Sequence, residues 1–226
     1  MFQIRKKCGI LLALPKSLYF NFKVLHWREA IKIPFLIYPN IKLGKLNKGV
    51  IKINTELKPF MIKIGLLYND DVPKYNSGYI NLSPESSLEF NGNAELSYGV
   101  ILKTNGNGKI TFGNNFFCNK NCSFVCNSEI NIGNDVLMGW NINVRDNDGG
   151  NHKIFINGNM KENRKPVYIG NHVWICAYSH ILKGVSIDND CVVAYNSCVT
   201  KTFLGNNRLI GGSPARIIQE NIQWKR

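Results

Sequence analysis

The sequence has no apolar run near the roughly 18 residues that a membrane-spanning helix needs. Its N-terminal run, Gly9-Ile10-Leu11-Leu12-Ala13-Leu14, stops at Pro15 without a convincing small-residue cleavage site, so neither a span nor a signal peptide is expected. Charge is also scarce. Only 19% of the 226 residues are charged against 44% hydrophobic, which excludes wholesale disorder. No P-loop or GxGxxG element occurs, so nucleotide-driven chemistry is not indicated. Paired cysteines are lacking too: the seven are odd in number and scattered, which argues against a disulfide framework and for a reducing cytoplasm. Cys118, Cys122 and Cys126 are evenly spaced, but no nearby histidine or CxxC pair supports a metal site, and they read as small apolar filling.

What is present is a period of six. From Ile169, steps of six land on Ile175, Ile181, Ile187, Val193 and Val199, and small or β-branched residues follow four positions after the first five hits. An earlier run reads Leu82, Leu88, Ala94, Val100, Gly106, Phe112, Cys118, Phe124, Ile130, and a third reads Ile132, Met138, Val144. A helix repeats its apolar positions every 3.6 residues and an ordinary strand every 2, so neither accounts for six. Three short strands joined by tight corners do, each side sending one aliphatic residue inward. Gly113-Asn114-Asn115, Gly133-Asn134-Asp135 and Gly170-Asn171-His172 suit such corners. The expected fold is all-β, a parallel β-helix of triangular section over residues 46–212. Residues 46–79 would form a degenerate first coil, and a loop at 145–166 interrupts the repeat. Ser213-Pro214 reads as an N-cap and first turn, predicting a short C-terminal helix over 213–226.

The net charge of +13 is unevenly placed. Residues 1–75 carry 14 basic and 4 acidic side chains, residues 76–144 carry 3 and 5, and residues 145–226 carry 11 and 6. Most of the field therefore lies outside the repeat. It suits a lipid surface or an acidic glycan better than nucleic acid, and no nucleic-acid partner is expected. Residues 1–45 show no six-fold pattern. Lys16 to Ala30 predicts a helix with aromatic and basic faces, followed by an extended exit at Pro34 and Pro39. Such a segment would either cap the open end of the coil, the preferred role, or lie on an anionic membrane surface.

Residues 80–218 resemble the hexapeptide-repeat acyltransferases. The stretch Lys165-Pro166-Val167-Tyr168-Ile169-Gly170-Asn171-His172-Val173-Trp174-Ile175 is similar to that family's "KPV.IG..VWIG" coil. Ile181-Leu182-Lys183-Gly184-Val185-Ser186-Ile187, Val199-Thr200-Lys201 and Gly212-Ser213-Pro214-Ala215-Arg216 match three further motifs in family order. Arg145-Asp146-Asn147-Asp148 and the ending Ile217 to Trp224 resemble the polysaccharide O-acetyltransferases in particular. The resemblance implies a left-handed coil, a homotrimer with active sites between subunits, acetyl-CoA as acyl donor, no metal, and a saccharide acceptor.

Acyl transfer from a thioester needs a base for the acceptor hydroxyl and donors for the oxyanion. Of four histidines, His26 reads as a surface or cap residue, and His172 and His180 as exposed corner residues that share no ligand set. His152 remains. The family resembles "R.SDGH" here, and this chain places the histidine four residues after Asp148 rather than two. His152 is the expected general base, with Asp148 or a backbone carbonyl orienting its ring and Asp146 not the preferred partner. By resemblance, Arg145 and Trp174 line the acceptor pocket, Ala177 and Tyr195 flank the pantetheine arm, and Thr200, Lys201 and Arg216 meet the nucleotide phosphates. Cys176-Ala177 and Ala194-Tyr195-Asn196-Ser197 depart from the family's usual glycines. The expected activity is O-acetylation of a surface polysaccharide or its precursor, in the cytoplasm or at the inner face of the membrane. The rival readings are an acetyltransferase for a small acceptor such as an antibiotic, free sugar or serine, a non-catalytic β-helix used for assembly, and a metal-dependent hydratase like the gamma carbonic anhydrases.

Overall fold

In the computed structural model, residues 2–66, 77–150 and 152–226 are described, with side chains from residue 10 onward; part of the expected first coil, 67–76, lies outside them. The six-residue period appears as three sheets of nine, seven and six strands visited in rotation, parallel throughout except for the last strand of the first. One coil shows the pattern: Phe116–Cys118 in the first sheet, Ser123–Cys126 in the second, Glu129–Ile132 in the third. Register puts like positions in line along the axis. Leu96, Cys118, Met138, Ile175, Val193 and Ile210 form one row, and Leu102, Phe124, Val144, Ile181 and Val199 another. Phe90, Phe112, Ile132, Ile169 and Ile187 form the third. All are buried.

Coil length changes along the axis. Phe90 pairs with Phe112, Phe112 with Ile132, and Ile169 with Ile187, separations of 22, 20 and 18 residues. The long early coils enclose a column of rings. Phe20–Phe35, Phe35–Phe90, Phe90–Phe112 and Phe112–Phe124 have centroids 5.2 to 5.6 Å apart. The shorter late coils hold Ile and Val. This also corrects the Leu82–Ile130 run, which crosses between two rows. Leu88 and Ala94 pair with Ile110 and Phe116, one inward position ahead of Phe112 and Cys118. The switch falls at the Asn105–Gly108 turn, whose first three residues are exposed, so Gly106 is not a weak core position but a turn residue with φ +53°.

Two corners are built on left-handed residues. Asn115, Asp135, His172, Asp190 and Asn207, with φ from 51 to 59°, stack on successive coils between the third and first sheets. Asn121, Asn141, Tyr178 and Asn196 do so between the first and second. Asparagine is frequent at these positions because its amide tolerates the conformation, and the residues just before four of them, Asn114, Asn134, Asn171 and Asn189, each accept, through Oδ1, a backbone N–H from the coil before.

The ends depart from the sequence reading. Helix α1 spans Phe2–Val24, with Pro15 inside it, and a short helix α2 spans Trp27–Ala30. The coil then starts at Phe35–Ile37 and Ile41–Leu43, before the expected boundary at 46. Helix α1 closes that end. Asn21 exchanges hydrogen bonds with the backbone of Phe35 (2.9 and 3.1 Å), Ser17 accepts the Ile37 amide at 2.8 Å, and Lys16 donates to Pro39 and Ile41 carbonyls. The end strand's backbone is thus satisfied by side chains of the helix.

The expected C-terminal helix is absent. Ala215–Gln219 is a strand that pairs antiparallel with Leu209–Gly212, since Ser213-Pro214 serves a turn as well as a helix start and Ile217-Ile218 favours extended backbone. Residues 220–226 then run back along the corner between the third and first sheets. Glu220 pairs with Arg208 at 3.2 Å, and Ile222 and Asn207 exchange two hydrogen bonds. Trp224 stacks on His172 with centroids 4.1 Å apart and donates to its carbonyl. Arg226 donates to the Asn115 carbonyl and lies over Phe117.

Candidate active site

The longest interruption leaves the coil after Asn143–Arg145 and rejoins it at Val167–Ile169. Its base is tightly held. Asp146 is fully buried, and its carboxylate accepts the amides of Asn127 (2.9 Å) and Ser128 (2.5 Å) and the Asn147 side chain (2.8 Å). The carboxylate thereby fastens the loop to the preceding coil. Asp148 and Asn163, and Lys165 and Asp146, are joined by backbone hydrogen bonds. Lys183, one coil on, bonds the Asp148 carboxylate and the Glu162 carbonyl with a side chain only 10% exposed. The loop's far part is a small hairpin, Phe155–Ile156 against Asn159–Met160, whose apolar side chains are exposed.

His152 is exposed on this loop, and its ring lies back over Gly150: a Cβ there would sit 3.0 Å from His152 Nε2. Among the described residues it makes no hydrogen bond, and Asp148, the expected orienting partner, is engaged by Lys183 instead. Arg145 lies beneath, its Nη1 close to Gly149, and its Nε is buried without a partner among the described residues. Continuing the register from Val144, Ile181 and Val199 puts Arg145 in line with Leu182 and Thr200, and Lys183 in line with Lys201. Thr200 and Lys201 are exposed there, the lysine 5.6 Å over the Phe203 ring. One corner, between the second and third sheets, therefore carries Arg145, Asp148, His152, Lys183, Thr200 and Lys201.

The other expected residues lie elsewhere on the protomer. Ala177 is buried and Tyr195 exposed at the corner between the first and second sheets, where Tyr195 meets Tyr178 with centroids 5.4 Å apart. Beside them the register aligns Gly139, Cys176, Ala194 and Gly211, a row of small residues. It is packed closely enough that a Cβ on Gly139 would lie 2.7 Å from the Ala177 amide. Tyr195 thus turns outward rather than filling this row. Trp174 is on the outer face of the first sheet, 5.9 Å from Trp224, and Arg216 is exposed on the C-terminal hairpin opposite Gly211. His172 occupies a corner, as expected, but is half-buried beneath Trp224 rather than exposed, with Nδ1 2.9 Å from Asp190. His180 is exposed but opens the short strand His180–Ile181 rather than sitting at a corner, beside Asn143 and Cys198. Among the described residues no group of three or more His, Cys, Asp or Glu is placed to hold a metal ion. The three evenly spaced cysteines are all buried, and burial raises the Cys118 and Cys126 thiols well above their ordinary value. Sequence reasoning missed Lys183 and the role of Asp146. Lys183 follows Lys165 by one 18-residue coil, a spacing that was available as a signal.

Residues 166–201, the uniform 18-residue coils, match the bacterial transferase hexapeptide (six repeats) model. The chain is 33% identical over 183 residues to the polysialic acid O-acetyltransferase of Neisseria meningitidis, covering 80% of this chain and 73% of that one. It is 34% identical over 112 residues to the galactoside O-acetyltransferase of Escherichia coli K12, covering 49% of this chain and 54%, about half, of that relative's length. The crystal structure of the polySia-specific acetyltransferase NeuO superposes with a TM-score of 0.59 at 23% identity, over 85% of this chain and 78% of that one. Fold and repeat together define a hexapeptide-repeat β-helix. The chain belongs to the hexapeptide-repeat acyltransferases, and its coil is the left-handed parallel β-helix of that family.

Proposed function

We propose that the protein is an acetyl-CoA-dependent O-acetyltransferase that esterifies a sugar hydroxyl of a surface polysaccharide or its precursor. The observation that carries this reading is the corner between the second and third sheets, which bears Arg145, Lys183, Thr200 and Lys201 and from which the loop with the exposed His152 departs. An imidazole without a partner among the described residues is available to an acceptor hydroxyl, and a hydroxyl with several cations suits an anionic thioester donor.

In the proposed reaction, His152 takes the proton of the acceptor hydroxyl as its oxygen attacks the thioester carbonyl. A carbon–oxygen bond forms, the carbon–sulfur bond breaks, and the leaving thiolate recovers the proton from the imidazolium. Asp148, held by Lys183, acts as a positioning residue that fixes the loop and with it His152. Arg145, with Nε buried and unpartnered among the described residues, and Trp174 receive the acceptor. Ala177 and Tyr195 flank the pantetheine arm, and Thr200, Lys201 and Arg216 meet the phosphates. These groups lie on different corners of one protomer, which accords with a homotrimer whose sites form between subunits. The exposed Phe155, Ile156 and Met160 of the loop then pack on a neighbour. A donor made in the cytoplasm puts the reaction there.

The test is transfer of radiolabelled acetyl from acetyl-CoA to the host's surface glycans beside small acceptors. His152→Ala lowers turnover by about 10²-fold or more, and near-normal turnover removes His152 from the mechanism. Lys201→Ala raises the KM for acetyl-CoA with a smaller effect on kcat. Preference for an antibiotic, free sugar or serine over glycan sinks the polysaccharide assignment.

A further inference from the structure

Helix α1 is turned outside in. The side that faces the coil includes the fully buried Ser17 and Asn21, whose polar atoms complete the end strand, together with Ala13, Phe20 and Val24. The side that faces away presents Leu11, Leu12, Leu18, Tyr19 and Phe22, each between 43 and 69% exposed. Positions 11, 15, 18 and 22 repeat at helical spacing, so this is one continuous face. Past the end of the helix, Trp27, 62% exposed, and Ile31, 57% exposed, add two more large apolar side chains. Seven exposed large apolar side chains between residues 11 and 31, five of them on one helix face, exceed the scattered exposure of an ordinary soluble surface. Capping the coil therefore uses only half of the helix.

Basic groups border these side chains. Lys23, Arg28 and Lys32 are exposed beside Phe22, Trp27 and Ile31, and the Arg28 guanidinium lies 5.4 Å from the Trp27 ring centroid. Residues 1–45 contain nine Lys or Arg and one acidic residue, Glu29. A second copy of the same face would bring two strongly cationic segments together. An acidic glycan would meet the charges but leave Leu11, Leu12, Leu18 and Phe22 in water. An anionic bilayer surface satisfies both features, with headgroups taking the cations and the acyl boundary taking the apolar side chains. Trp27 and Tyr19 are the residue types favoured at that depth. No helix among the described residues is long and apolar enough to cross a membrane, which agrees with a helix lying in the interface.

We infer that the outward face of α1, with Trp27 and Ile31, docks the protein on an anionic membrane surface. The experiment is co-sedimentation of the full chain with vesicles of phosphatidylcholine containing about 30 mol% phosphatidylglycerol, against phosphatidylcholine alone. Binding to the anionic vesicles is expected, weakening as salt is raised. The variant Leu18→Ser/Phe22→Ser/Trp27→Ser alters exposed side chains only. Its partition falls by about tenfold or more, while its thermal midpoint and its turnover on a soluble acceptor stay as in the parent. Absence of binding to anionic vesicles at millimolar lipid, or equal binding by the variant, overturns the inference. So does a variant that changes only the oligomeric mass in sedimentation velocity, because the face then belongs to a contact between copies. Vesicle binding needs no turnover, so failure of the acetyl-transfer reading leaves this result standing.

Discussion

Asp146 and Asp148 stand two residues apart in a run of similar polarity, and only three dimensions separate their roles. Asp146 has lost all contact with water and holds the amides of Asn127 and Ser128, whereas Asp148 remains at the surface with Lys183. Removing a buried, multiply bonded carboxylate strands its donors. Asp146→Ala is expected to cost about 3 kcal/mol or more in denaturant unfolding, and Asp148→Ala far less. Lys183→Met, in contrast, frees the loop without opening the core, so kcat falls while the melting temperature changes little. Glu89 supplies a pH handle. Burial works to raise its pKa, but hydrogen bonds from Lys109, Ser87 and Asn54 outweigh that and hold the carboxyl below its ordinary value. The sign follows: this stabilisation is fully present above the unfolded pKa, about 4.3, and is lost as pH falls through the lower folded value. The melting-temperature gap between the parent and Glu89→Gln should be open at pH 7 and close in acid.

At the scale of elements, legibility followed uniformity. Between Ile169 and Val199 the coils are 18 residues long, so Ile169, Ile175, Ile181, Ile187, Val193 and Val199 fall on one spacing. Earlier coils carry longer turns between the second and third sheets, and the true rows were masked by a run that hopped from one to another at Gly106. The C-terminal hairpin was misread because Ser-Pro is compatible with both a helix start and a turn. Pairing with Leu209–Gly212, a long-range fact, decided between them. The sites were half legible. The 18-residue step carries Lys183 to Lys201 on one corner, but the loop stretches the step from Val144 to Ile181 to 37 residues, so the period alone does not bring Arg145 and His152 there. That Lys183 takes Asp148 is a matter of side-chain reach that no period reveals. The ring column is where the early coils are most exposed to mutation. Phe112, in contact with Phe90, Phe116 and Phe124, has no room to be replaced by relaxation. Phe112→Ala should cost about 3–5 kcal/mol in denaturant unfolding, and Phe112→Leu clearly less.

The whole molecule is a stack in which each coil touches the next, and its two ends are treated differently. The N-terminal end is closed by a helix whose Ser17 and Asn21 point inward. The C-terminal end is closed by a strand, after which residues 220–226 pass back over the corners at Asn207, His172 and Asn115. In a repeat protein, stability is ordinarily a sum over neighbouring units, and the last unit frays first because it has one neighbour. A tail fastened several coils away changes that arithmetic. Opening the final coil must also release Trp224 from His172 and Arg226 from Phe117. Fraying at this end therefore becomes an all-or-none event spanning the late coils. Deleting 220–226 should leave the coil folded but let amides of Val192, Ala194 and Ile210 exchange with solvent sooner than those of Phe112 and Phe124. The tail works as a hoop on a stack of rings: it adds little strength to any one ring, and it makes them come apart together.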